Sequence, residues 1–168
     1  MSLLINSSEK WAFIHIPKTG GTSLSSIIRN IGGTNQITGH DSIRWVDDSS
    51  DYYIFTIVRN PYTRIASAYS HELRKKTHNY SFGEFLKKSN PFHQWILPQS
   101  YYTDAGKTEK RQISFVAHYE NYHNDMKTIL NKLNHTSDIP HLNRNPIYDI
   151  HPNLNQENYY SHFFTEEW

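Results

Sequence analysis

A lysine, two glycines and two hydroxyl residues lie close together in this sequence and could do chemistry. Lys18, Gly20 and Gly21 stand in PKTGGTS, which continues through Thr22 and Ser23. Glycines let a backbone approach a ligand closely, and the first N–H groups of a helix have no intrahelical acceptor. Such N–H groups, backed by the positive end of the helix and a lysine ammonium, bind phosphate groups. The spacing therefore predicts an anion site.

The residues around this loop predict the elements that position it. WAFIHIPKTGGTSLSSIIRNI, from Trp11 to Ile31, indicates a buried strand, the loop, and a helix opened by Thr22 and Ser23. The loop is not a Walker A loop, because in G-x-x-x-x-G-K-[ST] the lysine follows the glycines, whereas Lys18 precedes them.

An arginine marks a second junction between a strand and a helix. The run YYIFTIVR is rich in β-formers and ends at Arg59, and Asn60 and Pro61 then supply an N-cap and a first-turn proline. Ligands gather outside the carboxyl ends of the strands in an open α/β sheet, so Arg59 and Lys18 would face one crevice if their strands are near neighbours. Ser67 follows slightly over two helical turns later and could share that side of the helix.

The two motifs PKTGGTS and VRNPYTRIASAY together resemble the sulfotransferase superfamily. They are similar to its 5′-phosphosulfate loop and its 3′-phosphate motif, and FVAHYENYHNDMKTIL is similar to its strand that ends in Tyr-Glu before an amphipathic helix. The resemblance is closest to the carbohydrate, or membrane-type, branch and to a small bacterial-type member. Cytosolic members usually carry a tryptophan after the loop threonines, where this chain has Ser23 and Leu24.

This resemblance implies an α/β fold, a single P-loop-like domain over residues 1–168 with a short, mostly parallel sheet flanked by helices. It also implies transfer of a sulfuryl group from 3′-phosphoadenosine-5′-phosphosulfate to an acceptor hydroxyl, on a carbohydrate, without a metal ion. The chain stops sooner than the family pattern, so we expect either a minimal member or a shortened C-terminus.

The residues that the resemblance assigns to the donor nucleotide come from four segments. The 5′-phosphosulfate is assigned to the loop and the 3′-phosphate to the second motif, while a tyrosine lies by the adenine and an arginine in HLNRNP matches a later phosphate-covering loop. In that order they are Lys18, Thr19, Gly20, Gly21, Thr22 and Ser23; Arg59 and Ser67; Tyr119; and Arg144.

The catalytic base is the residue hardest to assign. Uronyl-type members of the family present a Gly-His before the second phosphate motif, and Gly39-His40 stands at the corresponding place. Imidazole titrates near neutral pH and can accept a hydroxyl proton, so His40 is the predicted base beside the catalytic Lys18. The chain has 11 histidines, so an ordinary surface role for His40 stays open. We expect His15 to pack in the core, while His71 and His123 lie in predicted helices.

Composition excludes several classes of site and partner. The formal net charge of +1 is too small for bulk capture of nucleic acid, and the absence of cysteine excludes disulfides and thiolate-bound zinc. No HExxH-type cluster indicates a metal, and no run is long enough for a membrane span. We therefore expect a cytoplasmic enzyme, unless an anchor has been removed, and the oligomeric state stays open.

Two functions from other classes remain as alternatives. A P-loop-type nucleotide kinase would need Mg²⁺ and an acidic ligand on a neighbouring strand, and no clear strand of that kind appears. A non-catalytic adenosine-phosphate binding module would keep the fold and lack the base. Individually, Lys18 could also be an ordinary loop lysine, Arg59 a structural ion-pair partner, and Tyr119 a core residue.

The remaining segments carry weaker signals. Residues 34–50 and 101–112 are polar and predict loops, whereas 82–89 and 156–168 predict helical segments and 92–99 a further apolar element. From Asn121 onward apolar residues recur at helical spacing, which favours a core-facing stripe over a ligand site. They are Tyr122, Met126, Ile129, Leu130 and Leu133.

Overall fold

The computed structural model describes residues 2–38, 43, 46, 51–74, 81–88, 95–104, 112–139 and 163–164. Contacts divide the chain into two compact units. The first consists of Met1–Arg59 with Pro98–Asn143, and the second of Asn60–Leu97 with Arg144–Trp168. The single domain over residues 1–168 stays a prediction.

A five-stranded sheet forms the centre of the first unit, with the strand order β3-β1-β2-β4-β5. The strands are β1 Ser2–Asn6, β2 Trp11–Ile14, β3 Thr34–Thr38, β4 Tyr53–Val58 and β5 Phe115–His118. The strands predicted before PKTGGTS and Asn60 are therefore confirmed as β2 and β4.

The sheet is mixed, so the prediction of a mostly parallel sheet is wrong for its β1 and β3 half. β2 pairs with β4 and β4 with β5 in parallel, but β1 pairs antiparallel with both β2 and β3. For β1 and β2 the reason is the short connection from Asn6 to Trp11, because a turn of that length can join only antiparallel strands. The loop predicted over residues 34–50 is also wrong at its start, where β3 lies.

Two helices pack against one face of this sheet. They are α1 Gly21–Ile28 and α5 Tyr122–Lys132, and a single turn of 3₁₀ helix, Tyr119–Asn121, joins β5 to α5. Their apolar sides form one buried cluster with the strands, as the stripe on α5 predicted. The cluster consists of Leu4, Trp11, Phe13, Leu24, Ile27, Ile28, Phe55, Ile57, Ala117, Met126, Ile129, Leu130 and Leu133.

The second unit is built on α2 Pro61–Arg74 and α3 Phe82–Lys88. The predicted cap of α2 is confirmed, because Asn60 Oδ1 accepts the backbone N–H groups of Tyr62 at 2.9 Å and Thr63 at 3.4 Å. An aromatic cluster joins the two helices to Phe163, with Tyr69 against three phenylalanine rings. The fourth helix of the described residues, α4 Ser100–Thr103, belongs to the first unit. It occupies the start of a predicted loop.

Candidate functional site

Three neighbouring parallel strands end side by side and carry the chain into the three predicted motifs. Ile14 at the end of β2 is paired with Thr56, and Val58 at the end of β4 is paired with His118 at the end of β5. The Lys18 loop, Arg59 and Tyr119 follow these ends directly. The structure therefore brings the three motifs to one edge of the sheet. The strands before Lys18 and Arg59 are neighbours, which is the condition set for their shared crevice.

The loop between β2 and α1 turns through two left-handed residues. Lys18 has φ of 66° and Gly20, the N-cap of α1, has φ of 85°. Between them Thr19 is fully buried, and its hydroxyl donates to the carbonyl of Ile16 at 2.8 Å. A lysine with positive φ is strained, and such strain often occurs at ligand sites. The loop is held by its own hydrogen bonds in a conformation that glycine favours.

The start of α1 has the properties of an anion site. No side chain caps it, no acidic residue lies in its first turn, and Gly21 and Ser23 are buried there. The N–H groups of the first turn and the positive end of the helix are therefore uncompensated by a local carboxylate. Thr22, in this first turn, is exposed. Lys18, three residues before the helix begins, is half-buried.

Two tyrosines pack against Gly20 and hold the loop from one side. A methyl group in place of its hydrogen would lie 3.0 Å from Tyr119 Cδ2 and 3.1 Å from Tyr122 Cε2. The Tyr122 hydroxyl donates to the Gly20 carbonyl at 3.1 Å. Burial raises the pKa of this hydroxyl above 10.0, so it stays protonated and can donate. Position 20 therefore favours glycine for two reasons, which are its positive φ and the lack of space for a side chain.

His15 packs behind the loop, as predicted. Its ring stacks on Phe13 with centroids 5.7 Å apart, and its Nδ1 lies 3.5 Å from Ser25 Oγ. A methyl group on Gly21 would lie 2.5 Å from His15 Cδ2. Burial lowers the pKa of His15 to about 4, which keeps the ring neutral at physiological pH.

Arg59 connects the three motifs. Its side chain is only 7% exposed, its Nη1 donates to the Lys18 carbonyl at 3.3 Å, and its guanidinium carbon lies 4.0 Å from the centre of the Tyr119 ring. The last contact is a cation–π interaction, which gains strength where water is excluded. A buried cation is thus held between the loop and Tyr119, where a phosphate oxygen could meet it.

Gln99 belongs to this arrangement and was not predicted. Its side-chain oxygen accepts the Arg59 backbone N–H at 2.9 Å, and its side-chain NH₂ donates to the Arg59 carbonyl at 2.7 Å. Both partners are backbone atoms 40 residues away, so no sequence pattern could have indicated the contact. Tyr122 was predicted as a core residue, and its hydroxyl contact with the loop was likewise not foreseen.

The remaining predicted residues stay predictions or lie elsewhere in the chain. Ser67 lies half-buried in α2 in the second unit, and its role stays a prediction. His40 and Arg144 lie outside the described residues. His71 contacts the Trp95 ring edge-on at 4.8 Å, and His123 is exposed on α5.

Two further properties concern only the described part of the chain. Within it, no group of three histidine or acidic side chains is arranged to hold a metal ion. Nor does any helix there have both the length and the apolar character needed to cross a membrane.

Comparison with known proteins gives a family and one relative. The model of the Sulfotransferase family matches residues 1–166, nearly the whole chain. An uncharacterized protein of Archaeoglobus fulgidus is 32% identical over 83 residues, which cover 49% of this chain and 68% of that protein. No solved structure matches the chain.

Proposed function

Because the chain belongs to the sulfotransferase family, we propose that it moves a sulfuryl group from 3′-phosphoadenosine-5′-phosphosulfate to an acceptor hydroxyl on a saccharide. The observation that carries the proposal is the meeting of the Lys18 loop, Arg59 and Tyr119 at the ends of three parallel strands. The saccharide acceptor rests on the resemblance of PKTGGTS and VRNPYTRIASAY to the carbohydrate branch.

The residues at this edge fit a nucleotide with phosphate groups at two positions. The uncapped start of α1 and the Lys18 ammonium suit the 5′-phosphosulfate, because both present positive charge and N–H donors. The Arg59 guanidinium suits the 3′-phosphate, since a guanidinium can donate two parallel hydrogen bonds to phosphate oxygens. The Tyr119 ring lies against the Arg59 guanidinium and offers an aromatic surface for the adenine. The assignment of Ser67 and Arg144 to the nucleotide rests on the sequence resemblance alone.

The chemistry asks little of the protein beyond positioning and charge. The donor supplies the sulfuryl group, whose bond to the bridging phosphate oxygen breaks as a bond from the acceptor oxygen to sulfur forms. Lys18 and the N–H groups of Gly21, Thr22 and Ser23 stabilise the charge left on that phosphate oxygen. His40 takes the proton of the acceptor hydroxyl. The protein thereby aligns donor and acceptor for an in-line displacement.

Transfer of label from ³⁵S-labelled donor to a panel of saccharides tests this function. We expect a labelled product with the wild type, and the same product when EDTA is present. His40→Ala should lower turnover by about 10²–10⁴ with nearly unchanged donor affinity, whereas Lys18→Ala should lower both. His123→Ala, an exposed histidine on α5, serves as the matched control.

Three results would count against the proposal in different ways. Donor binding without transfer to any acceptor would indicate a binding module instead. Phosphoryl transfer that requires Mg²⁺ would favour a nucleotide kinase. Normal turnover in His40→Ala together with a loss in another histidine variant would move the base elsewhere.

A further inference from the structure

The carboxamide of Gln99 occupies the place that a neighbouring strand would take beside Arg59. It accepts the Arg59 N–H at 2.9 Å and donates to the Arg59 carbonyl at 2.7 Å, so one side chain completes both hydrogen bonds of one residue. This is the pattern by which a strand residue bonds its partner in a ladder. The interaction is therefore directed at the backbone of Arg59 and not at its charge.

The sheet explains why Arg59 needs such a partner. The pairing of β4 with β5 ends at Val58 and His118, because the chain turns into the 3₁₀ helix at Tyr119. On the other side the pairing with β2 ends at Ile14 and Thr56. Arg59 is nonetheless only 7% exposed, and a buried backbone group without a partner is costly. Gln99 thus continues the hydrogen bonding of β4 by one residue, to Arg59, whose side chain belongs to the proposed site.

The guanidinium group of Arg59 has partners of its own. The far end of the side chain lies over Tyr119 at 4.0 Å and donates to the Lys18 carbonyl at 3.3 Å. With Gln99 at the near end, Arg59 is held at both ends before any nucleotide arrives. A group that is already ordered loses less entropy on binding, so the affinity for its ligand is higher.

We propose that Gln99 is a positioning residue for Arg59 and thereby sets the preference of the site for nucleotides phosphorylated at the 3′ position. This inference rests on the proposed function. The Gln99 carboxamide bonds the backbone of Arg59, whereas the 5′-phosphosulfate loop is packed at Gly20 by Tyr119 and Tyr122. Loss of the carboxamide should therefore weaken binding of the 3′-phosphate selectively.

Isothermal titration calorimetry with adenosine 3′,5′-bisphosphate and with AMP tests the proposal, because the two probes differ by the 3′-phosphate. Wild type, Gln99→Leu, Arg59→Ala and the double variant form a mutant cycle. We expect Gln99→Leu to reduce the preference for the bisphosphate by about tenfold and to leave AMP affinity unchanged. In the Arg59→Ala background, Gln99→Leu should add nothing. Gln36→Leu, on an exposed glutamine of β3, is the matched control.

The outcomes separate this role from the proposed function. A wild type without preference for the bisphosphate overturns the proposed nucleotide and the role of Gln99 together. A wild-type preference that Gln99→Leu retains, or equal weakening of both nucleotides, overturns the role of Gln99 alone. If Gln99→Leu does not fold, Gln99→Glu takes its place, since its carboxylate can still accept the Arg59 N–H. It should then lose part of the preference, and full retention would refute the proposal.

Discussion

Replacement of Gly20 by alanine should destabilise the protein through backbone strain and through crowding of the new methyl group. Gly20 has φ of 85°, where an L-residue is strained by about 1–2 kcal/mol. The new methyl group would also lie 3.0–3.1 Å from the rings of Tyr119 and Tyr122, which are fixed by Arg59 and by the Gly20 carbonyl. Overpacking of this kind costs roughly 1–3 kcal/mol. We therefore expect a loss of about 2–5 kcal/mol in the free energy of unfolding.

Urea unfolding followed by circular dichroism measures this loss, and two other glycines serve as controls. Gly33 has φ of 82°, and its added methyl group would lie 2.8 Å from Oγ of Ser8, an exposed side chain that can rotate away, unlike the packed tyrosine rings at Gly20. Gly32 has open space around it. Gly33→Ala should show mainly the conformational strain, about 1–2 kcal/mol, and Gly32→Ala almost no change. Equal stability of Gly20→Ala and Gly33→Ala would refute the claim that the tyrosine rings enclose the loop.

Three further predictions concern single side chains of the same edge. Burial holds the pKa of His15 at about 4, below 6.5, so the unfolded chain takes up a proton between these values that the folded chain does not. Stability should fall as pH falls from 6.5 to 4, and His15→Gln should remove up to about 3 kcal/mol of that fall in urea titrations; parallel curves for both proteins would contradict this. Lys18→Gly should raise stability by up to about 1 kcal/mol, because it relieves the positive φ, while lowering transfer; a destabilised variant would show that the lost contacts of the lysine outweigh the strain. Tyr122→Phe should cost about 1 kcal/mol through the lost bond to the loop, whereas the exposed Tyr101→Phe should cost nothing; equal thermal midpoints would argue against that bond.

The elements around the candidate site were predictable because their signals are local. A run of β-formers before PKTGGTS, a second run before Asn60 and Pro61, and the apolar stripe on α5 each occupy a continuous stretch. The cap of α2 forms between residues two and three positions apart. The strand ends also predicted a shared crevice for Lys18 and Arg59 if their strands were neighbours, which β2 and β4 are. Tyr119 was assigned only through the family resemblance.

The antiparallel half of the sheet was not predictable for the opposite reason. β3 reads TNQIT, which is polar, and it becomes a strand only because β1 pairs with it. Asn6 is fully buried at the end of β1, where its side chain bonds the Gly32 carbonyl at 2.8 Å and the Glu9 N–H at 2.9 Å. Such a residue resembles a surface asparagine until its distant partners are known. The contact of Gln99 with Arg59 has the same character.

The central claim is that the loop and Arg59 form one nucleotide site at the carboxyl ends of the parallel strands. Titration of ¹⁵N-labelled protein with adenosine 3′,5′-bisphosphate, followed by NMR, tests it most directly. We expect saturable shifts of the Gly20, Gly21 and Ser23 amides together with the Arg59 Nε–H. Saturable shifts centred instead on the groove at the amino ends of β2 and β4, lined by Glu9, Asp51 and His135 among others, with the loop unchanged, would contradict the claim.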